Sequence, residues 1–364
     1  MGKCCAHHTS SSALGVPKAP SPRFHARMKA FVYDLARRPE LMSFANFAAA
    51  PSEAALKNGE VLIKVHAAAL NPVDYKKPAL IPLAGYVLGG TAVAQDYSGV
   101  VVATKGPTGL AVGDEVFGTN SGGCLAEYLA TPAATCRKKP ARLSHAEAAS
   151  LVTVAQTTLQ SFSGGGHARP LRAGESVLVV GASGGCGLAG VQIARALVGR
   201  EGRVVGISSA ESAPLVEALG ATDALVDYKA GAEALVAALQ RHAPFDTIYD
   251  TVSSFEAYDT VEGKSYVEVL KPLLKPTGCH VAINGSAGQW VGAFVGWQAR
   301  NYRLLMQSPS GADLEATVRL VEEGKLKPVL DSVHPFTPAG CDSAYARLRS
   351  RRSRGKVVVE LVGQ

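Results

Sequence analysis

Small residues in the middle of the chain have the types and the spacing of a phosphate-binding turn. The pattern Ala182-x-Gly184-x-x-Gly187 directly follows residues 177–180, four apolar residues typical of a buried parallel strand. From residue 185 onward apolar residues recur with helical spacing, so the glycines open a helix. The first backbone amides of a helix have no partner within it and favour an anion. The stretch therefore predicts a site for the diphosphate of a dinucleotide, with a plain α/β turn as the alternative.

Two serines end the next predicted strand, residues 203–208. An acidic residue about twenty positions beyond the glycines binds the ribose 2′-hydroxyl of NAD, and it would repel a 2′-phosphate. Here that place is taken by Ser208 and Ser209, whose hydroxyls can donate hydrogen bonds to a phosphate. The end of this strand therefore favours NADP over NAD.

A cysteine lies within the glycine turn. The N-terminus of a helix lowers the pKa of a nearby thiol, so Cys186 could be redox-sensitive. The alternative interpretation is a small residue packed beside the cofactor.

The elements that must position these residues alternate beyond about residue 144. A helix is predicted at residues 146–162, and further strands are predicted at residues 225–228, 246–250 and 279–283. Such alternation produces a parallel sheet covered by helices on both faces. Before residue 144, short strands and turn residues are typical of a small β-barrel. The sequence thus predicts an α/β protein with a doubly wound sheet and a β domain.

Length and composition limit the class of protein. The 364 residues suit two domains, and 47% of them are hydrophobic. No run is long and apolar enough to predict a membrane span. The seven cysteines include no C-x-x-C pair, which is typical of a reducing compartment. These features indicate a globular protein.

The net charge of +7 is concentrated at the two ends of the chain. The first 33 residues contain five basic residues and no acidic one, and residues 347–356 contain five arginines and one lysine. The second run is interpreted as a solvated face, with contact to a nucleic acid or to a cofactor phosphate as the alternatives.

Residues 1–27 are interpreted as an extension that is disordered or targets the protein, because they lack apolar periodicity. Their lack of acidic residues is typical of an organelle transit peptide. Gly2 and the pair Cys4-Cys5 instead suggest acylation, although Ala6 departs from the myristoylation pattern. The expected location is a mitochondrion or chloroplast if the extension is a transit peptide, and the cytoplasm otherwise.

Several ordered motifs together resemble the medium-chain dehydrogenase/reductase superfamily, in its zinc-free quinone oxidoreductase branch. The matching stretches are Asn71-Pro72-x-Asp74, Gly113-Asp114-Glu115-Val116-Phe117-Gly118, Ala126-Glu127-Tyr128, the glycine turn, Leu219-Gly220-Ala221 and Arg354-Gly355-Lys356-Val357. Within the branch, the chain is similar to the mitochondrial reticulon-interacting and chloroplast-envelope types. The resemblance implies a GroES-like substrate domain at residues 28–150 and a Rossmann domain that binds NADPH at residues 151–308. Residues 309–364 are expected to return to the first domain.

Carried over by position, the resemblance implies a set of cofactor contacts. They are Thr157, Ser183, Gly184, Gly185, Cys186, Gly187, Ser208, Ser209, Tyr228, Lys229, Asn284 and Lys356. Some relatives have a lysine where this chain has Glu211 and Ser212. Lys229, or the basic run that ends at Lys356, is expected to compensate for it.

The sequence predicts no catalytic zinc. Zinc-dependent relatives have a cysteine within the segment that corresponds to residues 71–74 and a His-Glu pair in place of Gln95 and Asp96. A carboxamide and an isolated acid do not supply three metal ligands. His66, with no other His or Cys nearby at ligand spacing, is interpreted as a residue on the surface of a strand.

The predicted function is NADPH-dependent hydride transfer, without a metal, to a quinone or an α,β-unsaturated carbonyl. Asn71 is a candidate to position the nicotinamide or the substrate carbonyl. Tyr75 is a candidate proton donor, with a plain place on the barrel surface as its alternative. The alternative functions are an enoyl-thioester reductase and a non-catalytic protein that binds NADPH or RNA. The expected partners are a small-molecule substrate and no nucleic acid, and the expected state is a monomer or homodimer.

Overall fold

The structure is a computed structural model that describes residues 28–33, 42–48, 50–80, 92–121, 123–164, 168–253 and 260–361. The extension at residues 1–27, with its candidate targeting and acylation features, lies outside the described residues. Within the described ranges, no helix is long and apolar enough to cross a bilayer.

Strands and helices alternate in the second half of the chain and strands dominate the first. The strands are β1 (Met28–Tyr33), β2 (Met42–Ala48), β3 (Glu60–Ala69), β4 (Asp96–Thr104), β5 (Glu115–Thr119), β6 (Tyr128–Pro132), β7 (Cys136–Lys138), β8 (Ser176–Val180), β9 (Arg203–Ser208), β10 (Ala224–Asp227), β11 (Phe245–Asp250), β12 (Thr260–Val261), β13 (Lys264–Ser265), β14 (Leu274–Ala282), β15 (Tyr302–Leu304), β16 (Leu330–Pro335) and β17 (Lys356–Glu360). The α-helices are α1 (Pro72–Leu80), α2 (His145–Phe162), α3 (Gly185–Val198), α4 (Ala213–Glu217), α5 (Ala232–Gln240), α6 (Tyr266–Leu270), α7 (Ala287–Phe294), α8 (Gly311–Glu322) and α9 (Pro338–Arg349).

The first sheet joins strands from both ends of the chain. Its order is β16-β17-β3-β4-β5-β7, and β6 pairs with β3. The long strand β3 buries Val61, Ile63 and Val65 in one hydrophobic cluster with residues of β4 and β17. Since β16 and β17 pair with each other and β17 pairs with β3, the end of the described chain lies in this sheet.

The second sheet is parallel, with the order β10-β9-β8-β11-β14-β15. Its central strand β8 is buried on both faces, because successive side chains point to opposite sides of a sheet. Val177 and Val179 pack in the cluster formed with α2 and α3, whereas Leu178 and Val180 pack in the cluster formed with α5 and α6. The predicted doubly wound α/β sheet is confirmed.

Helix α2 connects the two sheets. It begins with a capping box, in which Ser144 accepts from the backbone of Glu147 (3.2 Å) and the Glu147 carboxylate accepts from the backbone of Ser144 (2.8 Å). The helix packs on β3 and β4 of the first sheet and on α3 and α8 of the second. The domain boundary expected between residues 150 and 151 therefore falls within one continuous helix.

Some elements differ from the sequence expectations. Strand β9 has the predicted bounds, whereas β14 begins several residues before the predicted apolar run, because its first half pairs as strand while carrying polar residues. Strand β15, only three residues long, was not predicted. Helix α9 includes the first part of the basic run, and its Arg347 forms a bidentate ion pair with the carboxylate of Asp331 (2.6 and 2.7 Å). Arg349, Arg351, Arg352 and Arg354 are exposed, as expected for a solvated face, whereas Arg347 is held in this ion pair and Lys356 is buried.

Candidate active site

The glycine turn joins β8 to α3 at the carboxyl edge of the parallel sheet. Gly184 is the N-cap of α3, no side chain caps this end of the helix, and its first turn contains no acidic residue. The first regular helical bond there runs from the amide of Leu188 to the carbonyl of Gly184 (2.8 Å). The amides of residues 185–187 consequently have no acceptor within the helix, as a bound diphosphate requires.

Gly187 of this turn is required by space. A Cβ on Gly187 would overlap the carbonyl oxygen of Gly181, and a Cβ on Gly185 would lie 3.0 Å from Cδ of Lys356. Gly181 itself has a φ of +76°, which favours glycine. The turn therefore holds the helix start and the strand end close together, and the residues present fit a dinucleotide.

The carboxyl ends of β9 and β10 form the place expected for a 2′-phosphate. Ser208 is buried at the end of β9, and the hydroxyls of Ser209 and Ser212 lie 3.2 Å apart. The carboxylate of Asp227 accepts from the amide of Lys229 (2.9 Å) and from the amide of Ala210 (3.2 Å). Asp227 thus fixes the turn after β9 against the turn after β10.

Two basic side chains flank Glu211 at this place. The Lys229 ammonium donates to Glu211 (2.8 Å), and the Arg354 guanidinium lies 4.0 Å from the other carboxylate oxygen. The hydrogen bond from Lys229 lowers the pKa of Glu211, and Glu211 in turn raises the pKa of Lys229. Tyr228 is 40% exposed beside them. The structure therefore brings Ser208, Ser209, Tyr228 and Lys229 together, and it adds Arg354.

Lys356 lies between the glycine turn and the residues that follow β3. Its stem lies against Gly185 of the glycine turn, and its ammonium is buried, where it donates to the Leu70 carbonyl (2.9 Å) and to Asn71 Oδ1 (2.6 Å). Lys356 is therefore not beside Glu211 at the 2′-phosphate end, where Lys229 or the basic run was expected to compensate, because its ammonium is held by Leu70 and Asn71. Arg354, two residues earlier, is the member of the basic run at that end.

Asn71 belongs to a buried polar network between the two sheets. Its Nδ2 donates to Asp96 Oδ2 (2.9 Å), and the Lys356 ammonium lies 3.5 Å from the same oxygen. Thr153 of α2 donates its hydroxyl to Asp96 Oδ1 (2.5 Å). The two stretches compared with a zinc site, residues 71–74 and 95–96, thus converge, and a lysine ammonium lies between them. Asp96 and Thr153 were not among the predicted site residues.

The remaining predicted residues lie on three elements. Tyr75 is on α1, where its ring packs against the core of the first sheet. Thr157 is buried on α2, and Asn284 is half-buried just beyond β14.

Cys186 is half-buried in the first turn of α3. Burial raises the pKa of this thiol to about 11, although the nearby Lys356 charge acts in the opposite direction. The lowered pKa expected from the helix N-terminus is therefore not found, and Cys186 packs against the hydrophobic cluster of α2 and α3, as the alternative interpretation has it.

His66 has a neighbour that the sequence did not indicate. Its ring lies 4.4 Å from the ring of His145, whose Nδ1 is 2.8 Å from the Ser98 hydroxyl and whose Nε2 is 3.3 Å from Glu115. Burial lowers the pKa of His145 to about 4. Across the part of the chain that the structure describes, no group of three or more His, Cys, Asp or Glu residues could hold a metal ion.

Comparison with known proteins decides the family. Residues 57–141 match the alcohol dehydrogenase GroES-like domain, and residues 219–359 match the zinc-binding dehydrogenase family. The trans-enoyl reductase pgmF of Aspergillus terreus is 32% identical over 324 residues, which covers 83% of this chain and 86% of that protein. The chain belongs to the medium-chain dehydrogenase/reductase superfamily.

Two further matches support this membership. The mitochondrial NAD(P)H oxidoreductase RTN4IP1 of Bos taurus is 31% identical over 338 residues, or 83% of this chain and 82% of that protein. The solved quinone oxidoreductase of Coxiella burnetii is 25% identical with a TM-score of 0.75, and the match covers 92% of this chain and 100% of that one. The resemblance to the superfamily and its GroES-like and Rossmann folds is confirmed. The chain is accordingly an oxidoreductase that uses a nicotinamide cofactor.

Proposed function

We propose that the chain uses NADPH in preference to NADH. The observation that supports this choice is the pair of basic side chains, Lys229 and Arg354, beside the serines that end β9. A phosphate with close to two negative charges gains from both cations and from the serine hydroxyls. Glu211 now holds both cations, so it competes with the phosphate for them.

Substitutions at this place test the cofactor preference. In the unmodified protein the Kd for NADPH should be lower than the Kd for NADH by a factor of roughly ten or more, and a factor of ten corresponds to ~1.4 kcal/mol of binding free energy. Lys229→Ala and Ser208→Asp should lower the ratio of the Kd for NADH to the Kd for NADPH. Glu211→Gln should raise this ratio, because it releases the two basic side chains to bind the phosphate. Lys138→Ala is the matched control, because Lys138 is an exposed lysine in an ion pair with Asp114 (2.9 Å) on the first sheet. Equal Kd values for the two cofactors in the unmodified protein would contradict the proposal.

We further propose that the acceptor is a quinone or an α,β-unsaturated carbonyl, reduced without a metal. The donor set supports this: a carboxamide, a carboxylate and an ammonium occupy the convergence of residues 71–74 and 95–96. An ammonium repels a metal cation and offers it no ligand. An electron-poor acceptor accepts hydride without a Lewis acid, and bound NADPH supplies that hydride.

The chain's own residues then bind and orient the reactants. The amides of residues 185–187, at the uncapped start of α3, hold the diphosphate. Asn71 has its carbonyl oxygen on Lys356 and its amide on Asp96, so the side chain is fixed in one orientation. A rigid Asn71 at the junction of the two sheets positions the reacting groups, and such positioning supplies much of the rate.

An enoyl-thioester substrate is the second candidate, because the similar pgmF is a trans-enoyl reductase. The two candidates are separated by steady-state rates of NADPH oxidation with quinones, simple enones and enoyl thioesters. A kcat/KM for enoyl thioesters that exceeds all others would favour the second candidate. Binding of RNA as the sole function is less well supported, since Arg347 and Lys356 of the basic run are engaged within the fold.

We also propose that the protein is targeted to an organelle by its first 27 residues. The similar RTN4IP1 is a mitochondrial protein, and the extension has the composition of a transit peptide. Fluorescent fusions of the full chain and of a chain that starts at Met28 test this. The same distribution for both fusions would contradict it.

A further inference from the structure

A short segment after β11 faces the glycine turn across the expected cofactor crevice. In a doubly wound sheet, ligands bind outside the carboxyl ends of the strands, where the strand order reverses. Here the reversal lies between β8 and β11. The glycine turn follows β8, and residues 251–253 follow β11, so the two segments form opposite walls of one crevice.

The two walls are in direct contact at Gly181. Thr251 donates its hydroxyl to the Val180 carbonyl (2.7 Å), and its backbone amide donates to the same carbonyl (3.2 Å). A Cβ on Gly181 would lie only 2.6 Å from Cγ2 of Val252. A small displacement of residues 251–253 would therefore change the width of the crevice.

One buried carboxylate organises this second wall. Asp250 is fully buried, and its Oδ1 accepts from the amides of Val252 (3.0 Å) and Ser253 (2.9 Å). Its Oδ2 accepts from the Ser253 hydroxyl (2.5 Å). The carboxylate thus closes a tight turn, and the direction of residues 251–253 follows from its orientation.

The orientation of this carboxylate is set from the neighbouring strand. His280 of β14, only 2% exposed, has its Nε2 at 3.0 Å from Asp250 Oδ2. Burial alone would raise the pKa of Asp250, but the hydrogen bonds from His280 and Ser253 hold it below its ordinary value. Because an ionised carboxylate only accepts, Nε2 of His280 carries the donated proton. Neither residue was singled out in the sequence, and neither belongs to the glycine turn.

We propose that Asp250 and His280 are positioning residues that fix residues 251–253 as the second wall of the dinucleotide site. They act through the backbone of this segment and do not take part in the chemical step. The inference rests on the proposed function, because it assumes that the crevice holds the dinucleotide. It predicts a loss of affinity for NADPH and NADH alike, since the wall lies away from the 2′-phosphate end.

Binding and kinetics of matched variants test this inference. Asp250→Asn should raise the Kd for both NADPH and NADH by roughly tenfold, because a hydrogen bond to a charged group is lost. The ratio of the two Kd values and the kcat at saturating cofactor should stay within about threefold of the unmodified protein. His280→Leu should act in the same direction, whereas His280→Gln keeps a donor and should restore most of the affinity.

Asp246→Asn is the matched control. Asp246 lies at the other end of β11, is also buried, and accepts from Lys275 (2.8 Å), Arg169 (3.0 Å) and the amide of Ser176 (2.9 Å). Asp246→Asn should lower the melting temperature, as Asp250→Asn should. It should change both Kd values by less than about twofold, because Asp246 is remote from the crevice. Equal loss of affinity in the two Asn variants, or none in Asp250→Asn, would overturn the proposal.

A measurement on the protein without cofactor separates this inference from the proposed function. Hydrogen exchange at the amides of residues 251–253 should be faster in Asp250→Asn and His280→Leu than in the unmodified protein and in Asp246→Asn. Unchanged exchange would overturn the positioning role whichever cofactor is used. Equal Kd values for NADPH and NADH in the unmodified protein would contradict the proposed cofactor preference and leave the positioning role of Asp250 and His280 intact.

Discussion

Replacing Lys356 by methionine should destabilise the protein, because it removes one partner of a buried ion pair. Asp96 is fully buried and Lys356 is 6% exposed, and breaking such a pair costs ~3–5 kcal/mol of unfolding free energy. Asp96 keeps its hydrogen bonds from Asn71 and Thr153, so the lower end of the range, about 3 kcal/mol, is expected. Methionine preserves the apolar stem against Gly185, so the loss reports the ammonium.

Thermal and urea unfolding followed by circular dichroism measure this loss. The expected fall in Tm is roughly 6–12 °C for this loss in a domain of ordinary size. Lys325→Met is the control, because Lys325 pairs with Glu323 (2.7 Å) with both side chains half exposed, and such surface pairs contribute about 0–1 kcal/mol.

A double variant completes the test of the Lys356 network. Lys356→Met combined with Asp96→Asn removes both charges and should recover at least half of the lost stability, because no unpaired buried charge remains. If Lys356→Met is as stable as the unmodified protein, or if the double variant is no more stable than the single one, the reasoning is refuted.

Three further predictions concern the metal, the response to acid and the N-terminal extension. Metal analysis of the purified protein should find no stoichiometric zinc, and activity should persist in a chelator; one zinc per chain would reopen alcohol dehydrogenase chemistry. Stability should fall as the pH drops from about 6.5 to about 4, because His145 is neutral in the fold with a lowered pKa of about 4 and the unfolded chain binds the proton first. His145→Gln should weaken this dependence in pH-resolved melting curves, and an unchanged slope would refute that cause. A chain that starts at Met28 should keep its melting temperature and turnover, and a drop of several degrees would show that the extension packs on the fold.

The sequence predicted the elements whose signal is local. The bounds of β9 agree because a run of β-branched residues, closed by serines, is itself a strand signal. The glycine turn was likewise readable, because its spacing reflects backbone contacts within one strand–turn–helix unit. By contrast, β15 is too short for a periodic pattern, and it forms only because β14 provides a partner.

The contacts that were missed in the site join distant parts of the chain. Lys356 reaches Asn71 across 285 positions, so no local pattern could place its ammonium there. The pairing of Arg354 with Glu211 and of His280 with Asp250 likewise follows from sheet order and register. Cys186 shows the opposite error, since a local rule about helix termini predicted a lowered pKa and tertiary burial raised it.

The most direct test of the central claim is the rate of NADPH oxidation by the zinc-free protein, recorded at 340 nm with quinones, enones, enoyl thioesters and aldehydes as acceptors. We predict turnover with quinones or enones that is faster with NADPH than with NADH and insensitive to a chelator. Absence of turnover with every acceptor, or activity that appears only when zinc is added, would contradict the claim.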